Sequence, residues 1–200
     1  MYILLNCRGV VTLNYKEFWK QISEKNEELN ALYHSYWHQF SDMGSWQFWM
    51  IISLLLLPLI LLFFTVDRKR IFELFFFGFI VHVLWSYIII ALGRSGYFMH
   101  HYFILPVLPI AINVTASVLP IGFLLLYQYC TNRQKNFYIY TLLLSVIFAF
   151  GFASIERYLG MTSYKNGMRQ FYLFLIDIGV VYIAYWSTKL LLKVKEKANS

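Results

Sequence analysis

Six side chains in this sequence combine types and positions that could do chemistry: His82, Asn113, Ser117, Glu156, Arg157 and Asp177. Each lies inside or at the mouth of a long apolar run. A polar group in hydrocarbon is costly and needs either a partner or a purpose. His82 falls near the middle of one run, and Glu156 with Arg157 closes another. Asp177 lies roughly 9 Å inside the last run, at 1.5 Å per helical residue. An ionised Asp at the centre of a membrane helix carries a penalty of about 2.5 to 3.5 kcal/mol. Asp177 is therefore expected to face other helices and pair with His82, Arg157 or Arg94, or to stay protonated. Two readings stay open. Asp177 and His82 tie two helices together, a contact worth about 0.6 kcal/mol, or the six residues form an ion, proton or ligand site.

A second constellation surrounds Pro120. Proline lacks an N–H, so mid-helix it leaves the carbonyl of Ala116 without its donor. Asn113, roughly 15 Å into its run, and Ser117 lie four residues apart on one face beside that defect. A freed carbonyl, an amide and a hydroxyl could coordinate a cation or a polar solute, as broken transporter helices do. The alternative is a packing kink whose carbonyl is satisfied locally. Pro106 and Pro109 suit a first helical turn.

Other chemistry is incomplete. His34 and His38 have i, i+4 spacing but no carboxylate or cysteine to complete a metal set, so they read as side chains of an amphipathic helix. The pair His100-His101 could titrate near neutrality. Only His82 is deep enough for a haem ligand. Cys7 and Cys130 are expected to be unpaired thiols on opposite sides of a membrane. No nucleophile–base set, phosphate loop or His-Glu-x-x-His motif occurs. The expectation is a non-enzymatic chain without cofactor or metal.

The elements that must hold these residues follow from composition. Of 200 residues, 60% are hydrophobic and 20% aromatic, and only 14% are charged. A soluble fold of this size cannot hide so much apolar surface. The net charge of +7 is scattered in short clusters between apolar runs, which argues against nucleic acid and for topology signals. The start of the chain lacks the basic region of a secretory signal. Five segments, about 46–66, 71–92, 103–129, 138–155 and 171–187, approach the roughly 20 residues a spanning helix needs. The third is long enough to be tilted or broken. Short loops make neighbouring spans antiparallel.

Arg68, Lys69 and Arg70 directly follow the first span, while 26–45 before it contains no Lys or Arg. By the positive-inside bias the N-terminus is expected outside and the C-terminus in the cytoplasm. Residues 1–45 then form an external region, 46–190 a five-helix membrane domain and 191–200 a basic cytoplasmic tail. Within the first region, Tyr15 to Phe40 carries aromatic and aliphatic residues at helical spacing. That helix suits the bilayer interface; a coiled coil or partner-binding helix is the competing reading. The fold class is thus an all-α integral membrane protein, about five transmembrane helices preceded by an amphipathic helix. Its expected partners are the lipid bilayer and other membrane proteins.

An order of short motifs supports this reading. Leu32-Tyr33-His34-Ser35-Tyr36-Trp37 and Phe40-Ser41 precede the first span. Asp67-Arg68-Lys69-Arg70, Glu73, Gly78, Leu119-Pro120, Tyr127-Gln128-Tyr129 and Glu156 follow. Together they resemble a family of small, uncharacterised multi-pass membrane proteins of Gram-positive spore-forming bacteria. The resemblance implies a five-span bundle in a plasma membrane and no established activity. The family pattern carries Asp late in the second span, where this chain has Ser86-Tyr87-Ile88, and Pro after the Glu, where it has Arg157. The function expected is that of a subunit, sensor or accessory factor; the alternative is a small transporter or channel with a polar site in the outer half of the bundle.

Overall fold

The computed structural model describes residues 4–6, 9–11 and 14–198. Among them, five helices are long and apolar enough to cross a membrane: Trp46–Thr65, Arg68–Arg94, Val114–Asn132, Phe137–Tyr158 and Gln170–Ala198. The chain is an all-α membrane bundle with an N-terminal helix before it. Ahead of that helix, β1 (Leu4–Asn6) pairs antiparallel with β2 (Gly9–Val11). Cys7 lies outside the described residues.

Helix α1 (Tyr15–Tyr36) starts at Asn14, whose backbone N–H is taken by the Glu17 carboxylate at 3.0 Å. That contact is half of a capping box, which satisfies donors the first turn would leave open. No residue of α1 is buried. A π turn, Trp37–Ser41, ends it and docks it. There the Ser41 hydroxyl donates to the Phe103 carbonyl at 3.1 Å and accepts the Phe103 N–H at 3.0 Å. The rings of Tyr33 and Tyr36 lie 6.0 and 6.2 Å from that of the buried Phe103.

Helix α2 (Trp46–Thr65) is capped by Ser45. Only 17% of its apolar window is buried, so most of its surface is left for lipid. Pro58 interrupts its backbone ladder, and just before it the Leu55 carbonyl accepts the Ser117 hydroxyl at 2.7 Å. Helix α3 (Ile71–Arg94) is central. Leu74, Phe77, Gly78, Val81, Trp85 and Ile89 are buried at spacings of one, three and four, which makes one helical face. At Gly78 a Cβ would fall 2.9 Å from Leu124 Cδ1, so glycine sets the close approach of the third span.

The third span departs from the expected 103–129. Residues 101–111 are not helical, and the helix begins at Ile112. Pro106 and Pro109 are the reason. Each drives the residue before it toward extended backbone, and Leu105 and Leu108 pair across a tight turn instead. Pro120 opens no mid-span gap. It is the second residue of α4 (Leu119–Asn132), behind a π turn, Val114–Val118, in which the Leu119 N–H reaches the Val114 carbonyl. Asn113 consequently stands at the start of this span, not deep within it.

The fourth span joins α5 (Phe137–Val146), a third π turn (Ile147–Phe152) and α6 (Ala153–Tyr158). Its buried residues are Phe137, Thr141, Ser145, Ala149, Ala153 and Glu156, mostly four apart. Steps of four drift about 40° each around an α-helix, and the wider π turn offsets that drift. Strand β3 (Phe98–His100) pairs antiparallel with β4 (Thr162–Tyr164), closing one end of the bundle. Helix α7 (Gln170–Ala198) runs on through the expected tail, which contains no helix breaker up to residue 198. At the other end Arg70 donates to Glu73 at 3.0 Å, Thr131 at 2.9 Å and Asn132 at 2.6 Å, and the Tyr127 hydroxyl also donates to Glu73.

Candidate functional site

Under the β3–β4 pair, α3, α7 and the π turns Val114–Val118 and Ile147–Phe152 surround a cavity of about 40 Å³. That is room for a few waters, at roughly 10–15 Å³ of such space each. Its walls are mostly apolar, including Ile89, Leu119, Phe148 and Leu173. Set into them are Trp85 from α3, Thr115 from the Val114–Val118 turn, Glu156 from α6, Asp177 from α7 and His100 from β3. π turns frequently occur at functional sites because they re-aim the side chains around them. Here one places Thr115, and the other puts Phe148 and Ala149 on the cavity face.

The two carboxylates are treated differently. Asp177, 2% exposed, accepts the Trp85 indole N–H at 3.1 Å. Glu156 is 4% exposed, and no hydrogen bond to its carboxylate occurs among the described residues. No Lys or Arg lines the cavity. The expected pairing of Asp177 with His82, Arg157 or Arg94 is thus replaced by an indole. His82 Nδ1 instead donates to the Thr115 carbonyl at 2.9 Å, one residue removed from the cavity wall. Arg157 turns outward, its guanidinium carbon 5.4 Å from the Tyr164 ring centre. On a helix, neighbouring residues diverge by about 100°, so Glu156 and Arg157 cannot share a target.

Ser117 faces α2 through its bond to Leu55, away from the cavity. Asn113 is 2% exposed and outside the cavity lining, and its side chain makes no hydrogen bond among the described residues. The Pro120 constellation therefore does not assemble, because Asn113 precedes a π turn and Ser117 lies within it, in place of a broken α-helix. Of the six sequence candidates, the structure brings Glu156 and Asp177 together, with His82 behind Thr115.

Sequence reasoning missed Trp85, Thr115 and His100 as neighbours of those carboxylates. Trp85 carried a signal: its indole N–H needs an acceptor when buried. His100 packs its ring 4.6 Å from that of Phe98. Burial, with His101 adjacent, pushes its pKa down to about 4, so the imidazole facing the cavity is neutral near pH 7. Its neighbour His101 turns to Ser163, with Nε2 2.8 Å from the hydroxyl. No three His, Cys, Asp or Glu side chains converge as a metal set among the described residues. Cys130 is buried and unpaired. No family model, curated protein or solved structure matches the chain.

Proposed function

We propose that the protein takes up and releases a proton or a small monovalent cation between Glu156 and Asp177, as a small non-enzymatic transporter of the cell membrane. One observation carries this: two buried carboxylates on neighbouring spans line a single cavity that contains no cationic side chain. An uncompensated carboxylate in such surroundings costs several kcal/mol. A bound proton or cation removes that penalty, and each exchange of it changes the charge inside the bundle. A structural tie between α3 and α7 needs only Trp85 and Asp177 and gives no account of Glu156. The cavity volume suits a proton carried with a few waters, or one small ion.

The setting follows from charge. The antiparallel spans bring Arg68, Lys69, Arg70, Arg133, Lys135 and Lys189 to one end of the bundle, against Arg94, Arg157, Lys165 and Arg169 at the other. That bias supports a cytoplasmic C-terminus, an external N-terminus and a cavity opening toward the outside. The resemblance of the ordered motifs to those of small membrane proteins of spore-forming bacteria favours a plasma membrane. The role as subunit, sensor or accessory factor for other membrane proteins is favoured by one feature, the exposed face of α1 with Trp19 and Leu32.

The test is reconstitution into liposomes holding a pH-sensitive dye, with parallel uptake of radiolabelled Na⁺. Flux of either ion above protein-free vesicles, lost in Glu156→Gln and in Asp177→Asn but kept in Arg157→Gln, is the expected result. Correctly folded protein that moves neither ion in either orientation would refute transport and leave the accessory role.

A further inference from the structure

At the end opposite the cavity, the α4–α5 turn and α7 enclose an open cleft of about 500 Å³. Lys135 enters it from the turn and Lys189 from α7; Tyr185, Tyr138 and Cys130 complete the walls. Neither lysine has a carboxylate within ion-pairing distance among the described residues, where the ion pairs are Lys20–Glu24, Lys25–Glu28 and Arg70–Glu73. Glu73, whose charge interacts with Lys189, is already engaged by Arg70 and Tyr127. Lys189 is held in place with its Nζ 5.6 Å from the Tyr185 ring centre. Two positive charges therefore face one cavity-like recess without an anion between them. The N-terminus of α5 is not the attraction, since Asn136 Oδ1 already accepts the N–H groups of Tyr138 and Ile139.

We infer that this cleft binds the headgroup phosphate of an anionic phospholipid. Its level in the bundle carries the choice of a lipid over a soluble phosphate. The third span ends at Asn132 and the fourth begins at Phe137, so the cleft sits where the chain leaves the apolar layer. Trp186 donates its indole N–H to the Tyr138 hydroxyl at 3.3 Å beside it, an aromatic pair suited to the membrane–water boundary. Directly along α5 and α7 from the cleft, Ile139, Leu142, Leu143 and Ile183 are exposed. Acyl chains can lie on that surface while the phosphate meets Lys135 and Lys189; a free phosphate has no use for it. Basic pockets between spans are a known way to hold anionic headgroups.

The experiment is native mass spectrometry of the whole protein released from bilayers of phosphatidylglycerol and phosphatidylcholine in equal amounts. The wild type should retain phosphatidylglycerol preferentially, one molecule per chain. Each lysine at a membrane surface changes anion partitioning about fivefold, so Lys135→Gln with Lys189→Gln should lower the preference about thirtyfold. Arginine at both positions should keep it, as should glutamine at Lys193 and Lys195, which lie along α7 beyond the cleft. Equal retention of the two lipids, or an equal loss in the Lys193/Lys195 variant, overturns the site. Displacement of the lipid by millimolar glycerol phosphate overturns the lipid assignment and gives the cleft to a soluble phosphate. The readout does not involve ion flux, so it stands or falls apart from the Glu156–Asp177 proposal.

Discussion

Replacing Asp177 by Asn tests whether its carboxylate serves as a fixed charge or as an exchangeable site. The side chain is 2% exposed and has one hydrogen bond, from Trp85 Nε1 at 3.1 Å. Asparagine has the same shape and keeps an acceptor oxygen for that indole. A hydrogen bond between spans is worth about 0.6 kcal/mol, and its neutral version retains most of that. Because no Lys or Arg lines the cavity, removing the carboxylate strands no cation. The expected change in bundle stability is therefore within about 1 kcal/mol of zero, on the stabilising side if the wild-type group is ionised. Asp177→Ala behaves differently: it leaves the buried indole N–H without an acceptor, at about 1–3 kcal/mol. The assay is reversible unfolding in mixed micelles or by steric trapping in bilayers, repeated from pH 5 to 8. A loss above about 2 kcal/mol in Asp177→Asn at every pH, matching a broken buried ion pair, would show a fixed cationic partner. That outcome would remove the basis of the transport reading.

Three other outcomes follow from the same geometry. Glu73→Ala removes the counter-charge of Arg70, whose side chain is 26% exposed and keeps only its bonds to Thr131 and Asn132, and also frees the Tyr127 hydroxyl; unfolding should register a loss of about 2–3 kcal/mol, whereas Tyr127→Phe should lose less than half of that. His100 has its pKa lowered from 6.5 to about 4 by burial and by His101. The unfolded chain then binds more protons between those values, so stability is full above pH 6.5 and declines as pH falls toward 4; melting curves of His100→Gln should lack that part of the acid dependence, and an identical profile in wild type and variant counts against it. For orientation, cysteine at Gly96 should react with an impermeant label added outside intact cells and cysteine at Asn132 should not, the reverse pattern inverting the topology.

Much of the fold was legible because a membrane removes most alternatives. Without water to satisfy backbone groups, an apolar run of span length must be a helix. The first, second and fourth spans accordingly start and stop close to their apolar limits. The third was misjudged because apolarity alone does not separate a span from a buried loop. Residues 103–111 include Phe103, Leu105, Val107, Leu108 and Ile110, yet Pro106 and Pro109 hold the chain out of the helix. Two prolines three residues apart cannot both occupy a first helical position, and that rule favoured a loop. The fifth helix extends beyond its apolar portion because Lys and Leu propagate a helix in water as well as in lipid.

The candidate site was legible in its charges and hidden in its geometry. A carboxylate inside an apolar run is conspicuous in one dimension, so Glu156 and Asp177 could be singled out from spacing alone. What faces them depends on rotation about each helix, which the π turns of the third and fourth spans alter. Counting from Thr141 in ideal turns, Glu156 lies about 60° from that residue's face, since fifteen steps of 100° exceed four full turns by that amount. The turn Ile147–Phe152 takes up that offset, and Thr141, Ser145, Ala149, Ala153 and Glu156 all end up buried. Thr141 and Ser145 hydroxyls meet no partner among the described residues, although each is fully buried. Helical Ser and Thr ordinarily donate to a carbonyl one turn back. They share the buried face of the fourth span with Glu156, so the proposed proton transport gives them a testable role. Thr141→Val and Ser145→Ala should therefore slow proton flux while leaving stability unchanged or slightly improved, since each removes an unsatisfied buried hydroxyl. A loss of stability with flux intact would assign both hydroxyls to packing alone.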